Sequence, residues 1–349
     1  APMHRPGDRC PDRGRDACCW RRIWVPDWSP VLAAQHERSL PVSGAPGRVW
    51  ISAGLRVAGA SGQGLSLVPE RSQMTDAEQN GFGLQCQEVS HWFGKTKVLY
   101  DLNLKVDAGQ FVSLIGPSGC GKSTLLRAIL GTHPPNEGRI LTLQNGRLAK
   151  ADHPGRDRGI VYQKYSLYPF LTALDNVALG LKLDQTTTMF RWFNWAGWSR
   201  KRREFRDRAA VFLEKVGLGQ AMNLYPSQMS GGMQQRVAIA QALIMEPEII
   251  LLDEPFGALD EIVRDQLNEH FHRLWEETHK TVVFVTHSIP EAVYLPTKIV
   301  VMSPRPGRIV DVIENTLPTD RPLEIRDSKE FISVSQRVRE GLRSGHTYE

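Results

Sequence analysis

The octapeptide Gly116-Pro-Ser-Gly-Cys-Gly-Lys-Ser123 fits G-x-x-x-x-G-K-[ST], and its flanks leave few folds open. An apolar run, Phe111–Ile115, leads in, and a helix-length stretch, Ser123–Leu130, leads out. Between a strand and a helix, such glycines let the backbone wrap around phosphate oxygens, with successive N–H groups and the helix N-terminus facing the anion. Gly116, Ser118, Gly119, Cys120, Gly121 and Thr124 would form that cradle. Lys122 would reach the β- and γ-phosphates, and the Ser123 hydroxyl would ligate Mg²⁺. Without the flanking elements the same residues would be a glycine-rich turn. The motif indicates a nucleotide and leaves the chemistry open.

Further short apolar runs follow at Ile160–Tyr162, Ile249–Leu252, Val282–Val285 and Ile299–Met302. They are rich in β-branched residues and bounded by turn residues, as strands buried on both faces of a parallel sheet should be. Helix-length segments intervene at Arg202–Val216, Gly232–Met245 and Glu261–Thr278. The alternation predicts an α/β sheet with crossover helices.

The run Ile249-Ile-Leu-Leu-Asp-Glu254 ends in two carboxylates. Acids at the C-terminal end of a buried strand point into the crevice where α/β sheets bind ligands. Asp253 is placed to hold Mg²⁺, and Glu254 to polarise a water in line with a γ-phosphate. The plainer reading has Asp253 capping the next element and Glu254 as a surface acid.

Met229-Ser-Gly-Gly-Met-Gln-Gln-Arg236 resembles the signature of the ATP-binding cassette (ABC) ATPases. The resemblance runs from about Gln85 to Gly307, and within the family the chain is similar to ATPase subunits of bacterial importers for nitrate, sulfonates and taurine. It implies a P-loop NTPase with a RecA-like, mostly parallel core, an antiparallel β portion and a helical subdomain at about 166–235. It also implies that Phe93 stacks on adenine and that Gln163 is the glutamine between the subdomains, at the metal and the attacking water. Asp260 lies in the inter-subunit loop Gly257-Ala-Leu-Asp260, and His287 is the switch histidine. Ser230, Gly231 and Gly232 open a helix with uncovered N–H groups, a second anion site. In the family that site closes on ATP bound by the partner copy. Met229 for Leu and Phe93 for Tyr depart from the usual pattern but remove no catalytic group. Ser303-Pro-Arg-Pro-Gly-Arg-Ile309 is similar to a stretch found in the nitrate and taurine group.

The resemblance thus implies a homodimer that hydrolyses ATP with Mg²⁺ at the cytoplasmic face of the inner membrane. It would drive separate transmembrane permease subunits that a solute-binding protein loads. A soluble ABC ATPase acting on DNA or ribosomes is the alternative, but no coiled coil splits the cassette and only one cassette is present. Charge argues against nucleic acid too. Residues 1–73 carry ten Arg and six acids, which is 10 − 6 = +4 of the chain's +5, so the body is nearly neutral. A small-molecule kinase would give no reason for Ser230–Gly232 or His287. No apolar run approaches the roughly 18 residues a membrane span needs, and five cysteines in 349 residues are no disulfide scaffold.

Residues 1–73 show neither helical nor strand periodicity and read as an unstructured or non-native extension, with Met74 the expected start of the 74–349 ATPase domain. At 186–208, Phe190, Trp192, Phe193, Trp195 and Trp198 precede a cluster of Arg and Lys. Packing of the rings on the protein's own helices is favoured; the competing expectation is contact with a permease or lipid. The tail, 311–349, has room for an edge strand and a closing helix at about Lys329–Leu342, and for no further domain.

Overall fold

The computed structural model describes residues 81–144, 146–164, 166–187 and 195–345, the side chains of Trp195 and Ala196 excepted. The extension through residue 73, Met74, and the rings of Phe190, Trp192, Phe193 and Trp195 lie outside what is described.

The described chain opens with a hairpin, β1 (Phe82–Phe93) and β2 (Thr96–Asp107), turned at Gly94-Lys95. Along β2, Leu102, Leu104 and Val106 are buried while Asp101, Asn103, Lys105 and Asp107 face out, the period-two pattern of a sheet with one wet face. Next come β3 (Phe111–Ile115), α1 (Lys122–Leu130), β4 (Glu137–Gln144), β5 (Arg147–Lys150) and β6 (Arg158–Val161). The helices α2 (Ala173–Gln185), α3 (Trp195–Lys215) and α4 (Gly231–Leu243) follow. The chain then alternates β7 (Ile249–Asp253), α5 (Glu261–Thr278), β8 (Thr281–Thr286), α6 (Ile289–Tyr294) and β9 (Lys298–Met302). It finishes with β10 (Ile309–Glu314) and α7 (Lys329–Gly345).

The strands form two sheets. One is antiparallel and four-stranded, in the order β2-β1-β4-β5. The other has six strands in the order β10-β9-β3-β8-β7-β6, parallel except for β10, which runs antiparallel along β9 as the outer edge. Every residue of β3 and β8 is buried, so both faces of the central strands are covered. Alternate residues serve separate cores. Phe111, Val282 and Phe284 pack among the helices, whereas Val112, Leu114, Val283 and Val285 pack with α1 and the antiparallel sheet.

Two elements begin earlier than their sequence patterns suggest. β6 starts at Arg158, two residues before Ile160, where the buried guanidinium is anchored by an ion pair and two carbonyls. It pairs with Asp157 at 3.0 Å and donates to the carbonyls of Ile129 and His153 at 2.9 and 2.7 Å. Helix α3 starts at Trp195 instead of Arg202, since Trp198 lies seven residues before Phe205 on one helical stripe that continues through Ala209 and Leu213. Trp198 packs on the helical core, Arg206 pairs with Asp175 at 2.7 Å and Arg208 with Glu246 at 2.9 Å.

Parallel pairing decides where chemistry can gather. The segments after β3, β6, β7 and β8 all leave the sheet at one edge, the C-terminal edge where ligands bind in open α/β folds.

Candidate active site

The loop after β3 runs from Gly116 into α1, whose N-cap, Gly121, holds φ +108°. A Cβ there would also lie 2.5 Å from Leu99 Cδ2, so glycine is required twice over. Lys122 opens the helix but points back inside the loop, where its ammonium donates to the carbonyls of Gly116 and Pro117 at 2.8 and 3.0 Å. Those bonds hold a buried cation where anions would be received. Cys120 lies buried beneath the loop, and burial pushes its thiol pKa up.

An open cleft of about 440 Å³ lies over the loop. Ser118, Gly119, Gly121, Lys122, Ser123 and Thr124 of the loop line it, with Phe93, Thr96 and Val98 from the first hairpin and with Glu254 and Arg305. Phe93 ends β1 with its ring half-exposed, and stacks edge-on against buried His91 at 4.7 Å between centroids.

At the end of β7 the two acids diverge. Asp253 Oδ1 accepts from Ser123 Oγ at 2.9 Å, tying the acidic strand to the phosphate loop rather than capping the next element. Burial, aided by the neighbouring Glu254 charge, raises the Asp253 pKa, and the Ser123 hydrogen bond opposes that rise. Glu254 adopts φ +46°, an uncommon backbone state for a residue with a side chain, of the kind that gathers at functional sites. Its amide donates to Val285 O at 2.9 Å, which fixes the turn on β8. From there Glu254 Oε2 faces two groups from other strand ends: His287 Nδ1 at 3.0 Å and Gln163 Nε2 at 3.5 Å.

Behind His287 a buried chain of contacts continues. Thr286 Oγ1 donates to Glu291 Oε2 at 2.5 Å, and Arg264 lies 3.5 Å from the other carboxylate oxygen. Arg264 Nη2 donates to Leu259 O at 2.8 Å, one residue before Asp260. Burial raises the Glu291 pKa, while Thr286 and Arg264 oppose the rise.

Two groups named from the sequence stand apart from this constellation. Ser230, Gly231 and Gly232 open α4, with Ser230 Oγ accepting from Met233 N at 3.3 Å, and none of them lines the cleft of its own chain. Asp260 caps α5 through Val263 N at 3.0 Å, away from the cleft. Sequence reasoning assigned no role to Thr96, Val98, Arg264, Glu291 or Arg305. Of these only Arg305 stood in a motif that had been singled out.

Comparison with known proteins identifies the family. The ABC transporter family profile matches residues 99–257. A taurine import ATP-binding protein of Rhizobium johnstonii is 44% identical over 72% of this chain and 92% of its own length. An aliphatic sulfonates import ATP-binding protein of Bacillus cereus is 40% identical over 72% of this chain and 92% of its own length. Among solved structures, a dimeric ATP-binding cassette bound to ADP and Pi superposes with TM-score 0.55 at 33% identity, covering 67% of this chain and all of that one (100%). A chain of an ABC transporter complex from Clostridium perfringens gives 0.58 at 25% identity, over 76% of this chain and 98% of that one. On that identity and coverage, the chain belongs to the ABC transporter ATP-binding proteins and is an ATPase of that family.

Proposed function

We propose that this ATPase powers an importer of a small anionic or zwitterionic solute of the taurine, sulfonate or nitrate type. The likeness to taurine and sulfonate import proteins supports the solute class. The observation that carries the catalytic reading is the convergence of Gln163, Glu254 and His287 from three parallel strand ends beside the phosphate loop.

In this reading Phe93 stacks on the adenine, and the loop N–H groups with Lys122 bind the β- and γ-phosphates. The Ser123 hydroxyl and the Asp253 carboxylate are hard oxygen donors in direct contact, a donor set that fits Mg²⁺. When bound, Mg²⁺ neutralises charge on the β- and γ-oxygens. Glu254 orients a water in line with the γ-phosphorus and takes its proton as the new P–O bond forms and the bond to ADP breaks. Gln163 helps place that water, and His287 holds Glu254 and then the γ-phosphate.

Ser230–Gly232 is an anion-ready helix start with no place in its own chain's cleft, which supports a head-to-tail dimer in which it closes on the partner's ATP. Asp260 then lies at the inter-subunit loop. The helices within about 166–235 face the permease, at the cytoplasmic side of the membrane. No helix among the described residues is long and apolar enough to cross a membrane.

Reconstitution with a permease and its solute-binding protein, screened over taurine, alkanesulfonates and nitrate, tests this reading. Mg²⁺-dependent ATPase activity should rise when the loaded binding protein is added. ATPase activity indifferent to permease and solute would contradict it.

A further inference from the structure

Ser303-Pro-Arg-Pro-Gly-Arg308 joins β9 to β10, and nothing in the reaction described above uses it. It is not a passive turn. Ser303 N donates to Arg308 O at 2.9 Å and Arg308 N to Ser303 Oγ at 3.0 Å, which closes the loop on itself. Gly307 N donates to Val98 O at 2.8 Å, and Tyr100 N to Gly307 O at 3.0 Å, pinning the loop along β2. A Cβ on Gly307 would sit 2.1 Å from Cys120 O, so only glycine lets this loop press against the phosphate loop. The Tyr100 ring also meets two cations, with the Arg308 guanidinium 4.2 Å and the Lys97 ammonium 3.9 Å from its centroid.

This anchoring carries Arg305 into the cleft wall that Phe93, Val98, Ser118 and Lys122 also line. Arg305 Nε and Nη2 donate to Gly119 O at 3.2 and 3.1 Å. A guanidinium has five N–H donors, so most of its donor capacity is left over. No carboxylate among the described residues pairs with it. Gly119 belongs to the loop read above as the phosphate cradle, and it lines the cleft together with Lys122 and Arg305. A cation fixed to Gly119 therefore meets the anionic part of a nucleotide.

We propose that Arg305 is a nucleotide-contact residue: it holds the Gly119 carbonyl with one edge and donates to a phosphate oxygen of ATP with the rest. The proposal rests on the reading of this cleft as the ATP site. Charge-assisted bonds of this kind contribute about a tenfold change in affinity.

The test is equilibrium ATP binding to the full chain, over a series of salt concentrations, for native protein, Arg305→Gln, Arg305→Lys and Lys122→Ala. Arg305→Gln should weaken ATP about tenfold and flatten the salt dependence, with the melting temperature of the nucleotide-free protein unchanged. Arg305→Lys keeps the charge but loses the fork, and should fall between the two; it decides the matter if the Gln variant does not fold. ATP affinity within about twofold of native in both Arg305 variants, with Lys122→Ala clearly weakened, would overturn the proposal and leave the site reading standing. Weaker binding with a native salt slope and a lower nucleotide-free melting temperature would make Arg305 a loop anchor only, and would also overturn it. Native affinity in Lys122→Ala as well would remove the ATP site from this cleft, and the proposal with it.

Discussion

His287 Nδ1 lies 3.0 Å from Glu254 Oε2, although 33 residues separate them in the chain. Adjacent parallel strands in register, with Asp253 opposite Val285, bring the two together. The pair is therefore a property of the sheet. Replacing His287 with Ala should lower phosphate release by about 100-fold, the lower range for losing one preorganised hydrogen-bond donor at a reacting centre. ATP affinity should change far less. A turnover near native would take His287 out of the site.

Asp253 and Ser123 bridge the acidic strand and the phosphate loop at 2.9 Å. Asp253→Asn keeps the shape and loses the charge, so the Mg²⁺ concentration for half-maximal ATPase should rise by about tenfold or more. Because burial raises the Asp253 pKa, protonation begins nearer neutrality than for a free aspartate. Native turnover should then fall on the acid side as pH drops through that raised value, and added Mg²⁺ should move the fall to lower pH. An unshifted Mg²⁺ curve in Asp253→Asn would exclude the residue as a metal ligand.

Glu291 joins Thr286, beside His287, to Arg264, which holds the carbonyl before Asp260. Glu291→Ala removes the acceptor of Thr286 and the ion partner of Arg264, and should cost about 1–3 kcal/mol in chemical denaturation. Glu291→Gln retains an acceptor for Thr286 and should cost less. Equal stability for the Ala variant and native protein would mean that this network holds nothing in place.

How much of this site could be read from the sequence depends on how its residues are spaced. The phosphate loop is one contiguous octapeptide, and the acidic pair closes a buried strand, so both announce themselves locally. Parallel topology then predicts that strand ends share an edge. Arg305 is 186 residues from Gly119, and no spacing rule brings them together. Glu291 sits in a short helix where an acid reads as solvated, yet it is buried. The basic run 200–203 hid the start of α3, because charge on the outer face masked the stripe that Trp198 begins. The first two strands were implied only by resemblance, since β1 mixes Gln85, Ser90 and His91 into its buried positions.

His272 is buried on α5, with Nε2 2.8 Å from Thr319 O. Burial first, with Arg321 adding to it, lowers its pKa, so the folded state binds a proton less readily than the unfolded chain. Its contribution to stability is complete above the unfolded value of about 6.5 and is lost as pH falls toward the folded value. His272→Gln should flatten the decline of melting temperature below about pH 6.5. A decline as steep as that of native protein would show that His272 does not contribute to it.

In the proposed reaction Glu254 is the group that activates water. Glu254→Gln keeps the contacts with Gln163 and His287 in reach but cannot take the proton. Single-turnover ATP hydrolysis, followed together with molecular mass by light scattering, tests it most directly. The expected result is native ATP affinity, hydrolysis slowed by at least about 100-fold, and an ATP-dependent shift from monomer to a stable dimer. Hydrolysis near the native rate, with no dimer accumulating in ATP, would contradict it.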